Sequence, residues 1–172
     1  MNQILEEILI LDKEVEKKFI EENVSIPAEI DLFFKWLPNM FVFITGNSST
    51  KAKNKLIHNL LIISLADVIS NSSVQFTKKL VDRRRPNSLF KYNSFPSSHT
   101  TTSFCGAELL RLKLKKKSLP LSLSGYALAS IAASLRLYKR KHWFSDIVAG
   151  AVIGIVSARL SFTLYKKLIL KA

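Results

Sequence analysis

Cysteine is nearly absent from this chain. Cys105 stands alone among 172 residues, so an internal disulfide and a cysteine-based metal centre are both excluded. Cys105 falls in an apolar stretch and reads as small packing material. Glycine and proline are also scarce, at five each. That argues against a loop-rich or low-complexity chain. Acids run out early. Nine of the thirteen lie before residue 32, and only Asp67, Asp82, Glu108 and Asp146 follow. Acids that persist in so basic a stretch are candidates for work, or for simple pairing with a nearby cation. No segment repeats, and the acidic start has neither the basic end nor the apolar core of a secretory signal.

What is present is apolar surface and positive charge. Hydrophobic residues make up 48% of the chain and the formal net charge is +13. A strong positive balance calls for an anionic partner. Nucleic acid is the usual one, but apolar runs of this density do not suit a soluble nucleic-acid binder. A membrane protein that handles anionic lipid accounts for both features. The expected partners are a membrane lipid phosphate and the bilayer, with no nucleic acid and no obligate protein partner evident.

Periodicity predicts an all-α integral membrane bundle, with about five transmembrane helices and an N-terminal amphipathic surface helix. Ile4, Ile8, Leu11, Val15 and Phe19 recur at helical spacing over residues 2–22, among too many charges to span a bilayer. "SIPAEI" then opens a helix, with Ser25 as its cap and Pro27 in the first turn. Spans are expected at 30–45 (kinked at Pro38), 56–76, from Ser97 to the basic run at 111–117, 118–137 and 143–164. Gly150 and Gly154 form a small-xxx-small packing pair in the last. The whole chain reads as one domain, residues 1–25 being the surface helix and 26–172 the bundle.

Three stretches sit at span ends: "KKLVDRRRP" (78–86), "PSSH" (96–99) and "SLRLYKRKHWFSD" (134–146). Alternating spans bring all three to one side of the membrane. Lys78 and Arg85 are seven apart and would share a face of a continued helix, which Pro86 should end. The start of the helix at Ser97 offers free N–H groups to an anion. His142 and Asp146, four apart, stack on one helical face. Together these are cations, hydroxyls, two histidines and one carboxylate, which suits a bound phosphoryl group. One imidazole could attack phosphorus, the carboxylate could orient that ring, and the second imidazole could protonate the leaving oxygen.

These stretches resemble the three signature motifs of the type 2 phosphatidic acid phosphatase family. Lys-x6-Arg-Pro is met by Lys78, Arg85 and Pro86. Pro-Ser-Gly-His is met by Pro96, Ser97 and His99, with Ser98 in the glycine place. Ser-Arg-x5-His-x3-Asp is met by Arg136, His142 and Asp146, with Leu135 before the arginine and Ser134 one position early. The resemblance implies His142 as nucleophile through a phosphohistidine, Asp146 as its orienting carboxylate, and His99 as general acid and then base. It implies Lys78, Arg85, Ser97, Ser98 and Arg136 at the phosphate, with no metal and no cofactor. Ser98 in place of glycine touches the close approach of backbone to phosphate. Arg83, Arg84, Lys91 and Arg140 are candidate head-group contacts or lipid anchors. A dense basic rim on a small chain is most similar to the lipid A 1-phosphatases of the family. Phosphatidylglycerophosphate and undecaprenyl pyrophosphate phosphatases share the motifs.

Other readings stand beside this one. Lys79, Lys139 and Lys141 fit snorkelling anchors, and Trp36, Trp143 and Tyr138 interface anchors. His58 reads as structural. Asp67, in mid-span, is either functional or paired within the bundle. Two histidines and an aspartate could hold zinc, against which the surrounding cations argue. A non-enzymatic carrier or sensor of anionic lipid needs the cations but not the His142–Asp146 pair. Eleven cations on one side against ten on the other leave the orientation open. The resemblance implies a bacterial inner-membrane protein whose site faces the periplasm.

Overall fold

The computed structural model describes residues 2–20, 27–45, 52–114 and 118–168. The Ser25 cap and part of the basic run after Leu114 lie outside them. Among the described residues there are six helices and no strand: α1 (Asn2–Ile20), α2 (Ala28–Ile44), α3 (Ala52–Val81), α4 (Ser98–Leu114), α5 (Leu119–Tyr138) and α6 (Phe144–Leu168). Two stretches, Leu56–Val81 and Phe144–Leu168, are long and apolar enough to cross a membrane by length and composition. Five helices, α2–α6, stand where the five spans were expected, but α2 and α4, at 17 residues, fall short of the roughly 20 a full span needs.

α4 is the central helix and packs against α6, α5, α2 and α3. Its run Thr100 to Ser103 is buried. The run tolerates burial because several of its hydroxyls find acceptors nearby: Thr101 Oγ1 donates to Ser97 O, and Ser103 Oγ to His99 O. Pro38 lies inside α2, as expected, and the next residue ties that helix to the core: Asn39 Nδ2 donates to Thr102 O at 3.3 Å. The apolar core of Val42, Ile62, Ala66, Cys105, Leu109, Leu110, Leu114, Ala158 and Tyr165 fills the half of the bundle away from the motifs. His58 lies there too, hydrogen-bonded to Tyr165.

α6 meets α4 through its glycines. A Cβ on Gly150 would stand 2.7 Å from Ser97 O, and one on Gly154 would stand 2.4 Å from Thr101 O. Both obstacles are backbone, so the helices would have to part. Gly154→Ala should therefore destabilise the bundle by about 1–3 kcal/mol, seen as a lowered Tm in detergent. An unchanged Tm would mean that the two helices do not depend on this close approach.

α3 ends earlier than Pro86 suggested. Asp82 takes a left-handed backbone (φ 41°) directly after Val81, which stops the helix. Lys78 is therefore helical and Arg85 is not. The segment 82–97 folds back over the end of the bundle. It is pinned to the α5–α6 connection by Asn87 N donating to Arg140 O and to α6 by Ser97 N donating to Asp146 O, each at 3.0 Å.

Candidate active site

All three motif stretches meet at one end of the bundle, where α3 and α5 end and α4 and α6 begin. His142 lies in the short α5–α6 connection and is buried. Its Nδ1 lies 2.8 Å from the carbonyl oxygen of Ser94 and 3.5 Å from Asp146 Oδ2. A carbonyl only accepts, so in the neutral ring Nδ1 carries the proton and Nε2 keeps its lone pair. The sequence pointed to Asp146 as the orienting group. The structure adds the Ser94 carbonyl, which is the nearer partner. Burial pushes the His142 pKa below its ordinary 6.5, with Asp146 opposing and Arg136 and Arg85 adding to the fall.

Asp146 is wholly buried and fully engaged. Ser94 Oγ and the Trp143 N–H donate to its Oδ2, and Arg83 Nη1 donates to Oδ1 at 2.8 Å. Its carbonyl accepts from the Ser97 N–H. The carboxylate is held from several sides and cannot swing.

Ser97 stands directly before α4. It is fully buried, and its Oγ accepts from the Thr100 hydroxyl (3.0 Å) and the Thr100 N–H (3.4 Å). That is an N-cap. With its own N–H given to Asp146, Ser97 builds the start of α4, and the anion-facing donors left are those of Ser98 and His99. His99, the second residue of α4, is half-buried and within electrostatic reach of Arg136, Lys35, Asp31 and His142.

Lys78 and Arg85 meet despite the broken helix, because Asn93 joins them. Lys78 Nζ donates to the Asn93 carbonyl and Arg85 Nε to its Oδ1 at 2.8 Å. A cavity of about 470 Å³ opens here, lined by Asp82, Arg85, Phe90, Lys91, Tyr92 and Asn93. Lys141, which fitted a membrane anchor, belongs to the same field. Burial and the neighbouring Arg136, Lys91, Arg85 and Lys139 hold its ammonium below the usual lysine range.

The candidate head-group residues divide. Lys91 lines the cavity, and Arg84 Nε donates to Ser88 O. Arg83 turns inward, and Arg140 stays partly exposed. Arg83 bridges Asp146 and Asp12, and Arg140 pairs with Glu16 at 2.7 Å. Both therefore carry ion pairs to α1, with Arg83 largely buried and Arg140 still 43% exposed. Arg136 likewise pairs with Asp31, which also takes Lys139 at 3.1 Å. Asp12, Glu16, Asp31 and Ser94 were not expected at the site. The acids were passed over because they belong to the acid-rich N-terminal third, where no single one stands out. Asp31 and Lys35, four apart in an apolar helix, were the available signal. Asp67 lies within electrostatic reach of Lys35. Among the described residues no three His, Cys, Asp or Glu side chains gather as a metal set.

Residues 55–170 match the family model described as the PAP2 superfamily. A curated relative, the lipid A 1-phosphatase of Porphyromonas gingivalis, is 30% identical over 139 residues. Those residues are 80% of this chain and 31% of the relative, so the chain spans about a third of that protein's length. Two solved structures share the fold. One is Aquifex aeolicus LpxE, with a TM-score of 0.60 at 20% identity, covering 90% of this chain and 94% of the other. The second is a transmembrane PAP2-type phosphatidylglycerolphosphate phosphatase from Bacillus subtilis, with a TM-score of 0.67 at 17% identity, covering 98% and 89%.

Proposed function

This chain belongs to the PAP2 superfamily, and from that premise we propose that it is a single-domain, metal-independent membrane lipid phosphatase that works through a phosphohistidine. The observation that carries the reading is the hydrogen bond from His142 Nδ1 to the Ser94 carbonyl with Asp146 behind it. It leaves Nε2 as a lone pair, with Arg136 and Arg85 within electrostatic reach of the ring.

The reaction follows from that placement. His142 Nε2 attacks phosphorus in line with the ester oxygen, and an N–P bond forms as the P–O bond breaks. His99 gives its proton to the departing lipid oxygen. Lys78, Arg85, Arg136 and the N–H groups of Ser98 and His99 hold the equatorial oxygens. Asp146 offsets the charge gained by the phosphorylated ring. His99 then takes a proton from water, the hydroxide attacks phosphorus, and inorganic phosphate leaves with His142 restored. Ser97 serves as the cap that aims these N–H groups.

The substrate read as best supported is lipid A 1-phosphate. The P. gingivalis relative supports it by name. The chain would lie in a bacterial inner membrane with its site facing the periplasm, where such a head group is met. One observation favours a second reading. Arg83 is already shared between two buried carboxylates, so one cation fewer faces a multiply anionic head group than the sequence suggests. A smaller head group, phosphatidylglycerophosphate, or undecaprenyl pyrophosphate would then suffice.

The test is phosphate release from lipid A, phosphatidylglycerophosphate, phosphatidic acid and undecaprenyl pyrophosphate by purified protein in detergent with EDTA. Turnover is expected to persist under chelation, and the preferred lipid identifies the substrate. Loss of all release in EDTA, restored by a divalent metal, would replace this reading with a metal-dependent hydrolase. Lipid binding without any release would replace it with a carrier.

A further inference from the structure

α1 makes contacts that a surface helix does not need for docking alone. One stripe, Asp12, Val15, Glu16 and Phe19, turns inward, while Ile4, Leu5, Ile8, Leu9, Ile10 and Leu11 stay exposed. The helix is thus held by its charges and leaves its apolar face outward. The residue it buries most fully is a carboxylate. Asp12 is 1% exposed and accepts hydrogen bonds from Arg83 Nη2 (2.6 Å), Ser145 Oγ (2.7 Å) and Ser145 N (2.8 Å). The same guanidinium donates through Nη1 to Asp146 Oδ1 at 2.8 Å and to Ser145 Oγ at 2.6 Å. It rests over the Trp143 ring, 5.4 Å from the centroid. The Arg83 carbonyl accepts from Ser94 N, and Ser94 in turn contacts both Asp146 and His142. One arginine is therefore shared between a carboxylate of α1 and the carboxylate behind the nucleophile. α1 lies wholly outside the stretch that matches the family.

We propose that Asp12 and Arg83 are positioning residues for the reaction, the Asp12–Arg83 pair fixing both the place of Asp146 and how much of its negative charge is left for His142. This rests on the phosphohistidine reading above. Arg83 divides its positive charge between two carboxylates. Without Asp12 it draws on Asp146 alone, and less negative charge is left to stabilise the charged ring. Without Arg83 the reverse holds. The two changes should therefore move the protonation of His142 in opposite directions. The other charged or titratable groups facing His142 are Asp146 on α6, Arg136 on α5, Arg85 on the 82–97 segment and His99 on α4, with Glu16 and Arg140 lining the small space beside the ring. None of these changes in either variant.

The experiment is the pH profile of kcat/KM for wild type, Asp12→Asn, Arg83→Gln, Arg83→Lys and His142→Ala on one lipid phosphate. A protonated ring cannot attack, so activity falls as pH drops through the His142 pKa, and the wild-type acid limb is expected below 6.5. Asp12→Asn should move that limb to lower pH and Arg83→Gln to higher pH. In both, kcat should fall roughly 10-fold to 100-fold with KM changed less than about 3-fold. Arg83→Lys keeps the charge but cannot fork to two carboxylates, so it should lose kcat and leave the limb near wild type. Should Arg83→Gln fail to fold, Asp12→Asn is read against Arg83→Lys: the limb should move to lower pH in the first and stay near wild type in the second, and an Asp12→Asn limb that does not move overturns the proposal. Limbs that move in the same direction, or variants that keep wild-type kcat, overturn the proposal while His142-dependent turnover leaves the parent reading intact. A wild type with no turnover on any lipid overturns both.

Discussion

His142→Ala is expected to lower phosphate release by roughly four orders of magnitude or more, as loss of a covalent nucleophile does in enzymes whose residues act as a unit. Alanine removes the only ring nitrogen that the Ser94 hydrogen bond holds ready for attack. His99 is the other histidine at this end, and its backbone belongs to the first turn of α4, so it cannot move over to substitute. The cations remain, and lipid binding should persist within a few fold of wild type. The direct check is chemical. A phosphoramidate bond to histidine is stable in alkali and labile in acid. Labelled lipid phosphate quenched in alkali should leave label on the wild-type chain and none on His142→Ala. Release that survives the substitution, with no labelled chain in the wild type, would remove the covalent route and leave His142 outside the catalytic groups.

Asp146→Asn should come close to that effect, with a fall of about 10³-fold to 10⁴-fold in kcat. The side chain keeps its shape and loses its charge in a site from which solvent is excluded. Oδ2 is already committed to Ser94 Oγ and the Trp143 N–H, so the amide nitrogen would have to face Arg83. Two donors would then oppose each other. The phosphorylated ring also loses the anion that offsets its charge. Stability should fall by about 1–3 kcal/mol, the cost of leaving a buried donor unpaired; it is limited because Arg83 keeps Asp12. The two readouts separate under single-turnover kinetics at a temperature where the variant stays folded. A rate within 10-fold of wild type there would show that the Ser94 carbonyl alone orients the ring and that Asp146 is structural.

Much of this was legible in the residues. Apolar periodicity located the helices, to within a few residues at most ends, because a helix in or on a bilayer needs an unbroken or one-sided apolar pattern. The motif residues could be grouped at one end because spans must alternate in direction. One reading was altered by local geometry. α3 stops at Asp82, where a left-handed backbone intervenes before Pro86 can act. Ser97 caps α4, as its place before a helix allows.

The sequence by itself determined the class of the protein, the order of its helices and the identities of the groups suited to a phosphoryl centre. Those follow from local pattern and spacing, which short-range physics governs. The tertiary structure decided which charge answers which. Asp12, Glu16 and Asp31 reach Arg83, Arg140 and Arg136 across gaps of 71, 124 and 105 residues. No periodicity encodes such pairings. They arise because α1 and the start of α2 lie on the basic end of the bundle, where a buried or half-buried cation is costly until a carboxylate meets it.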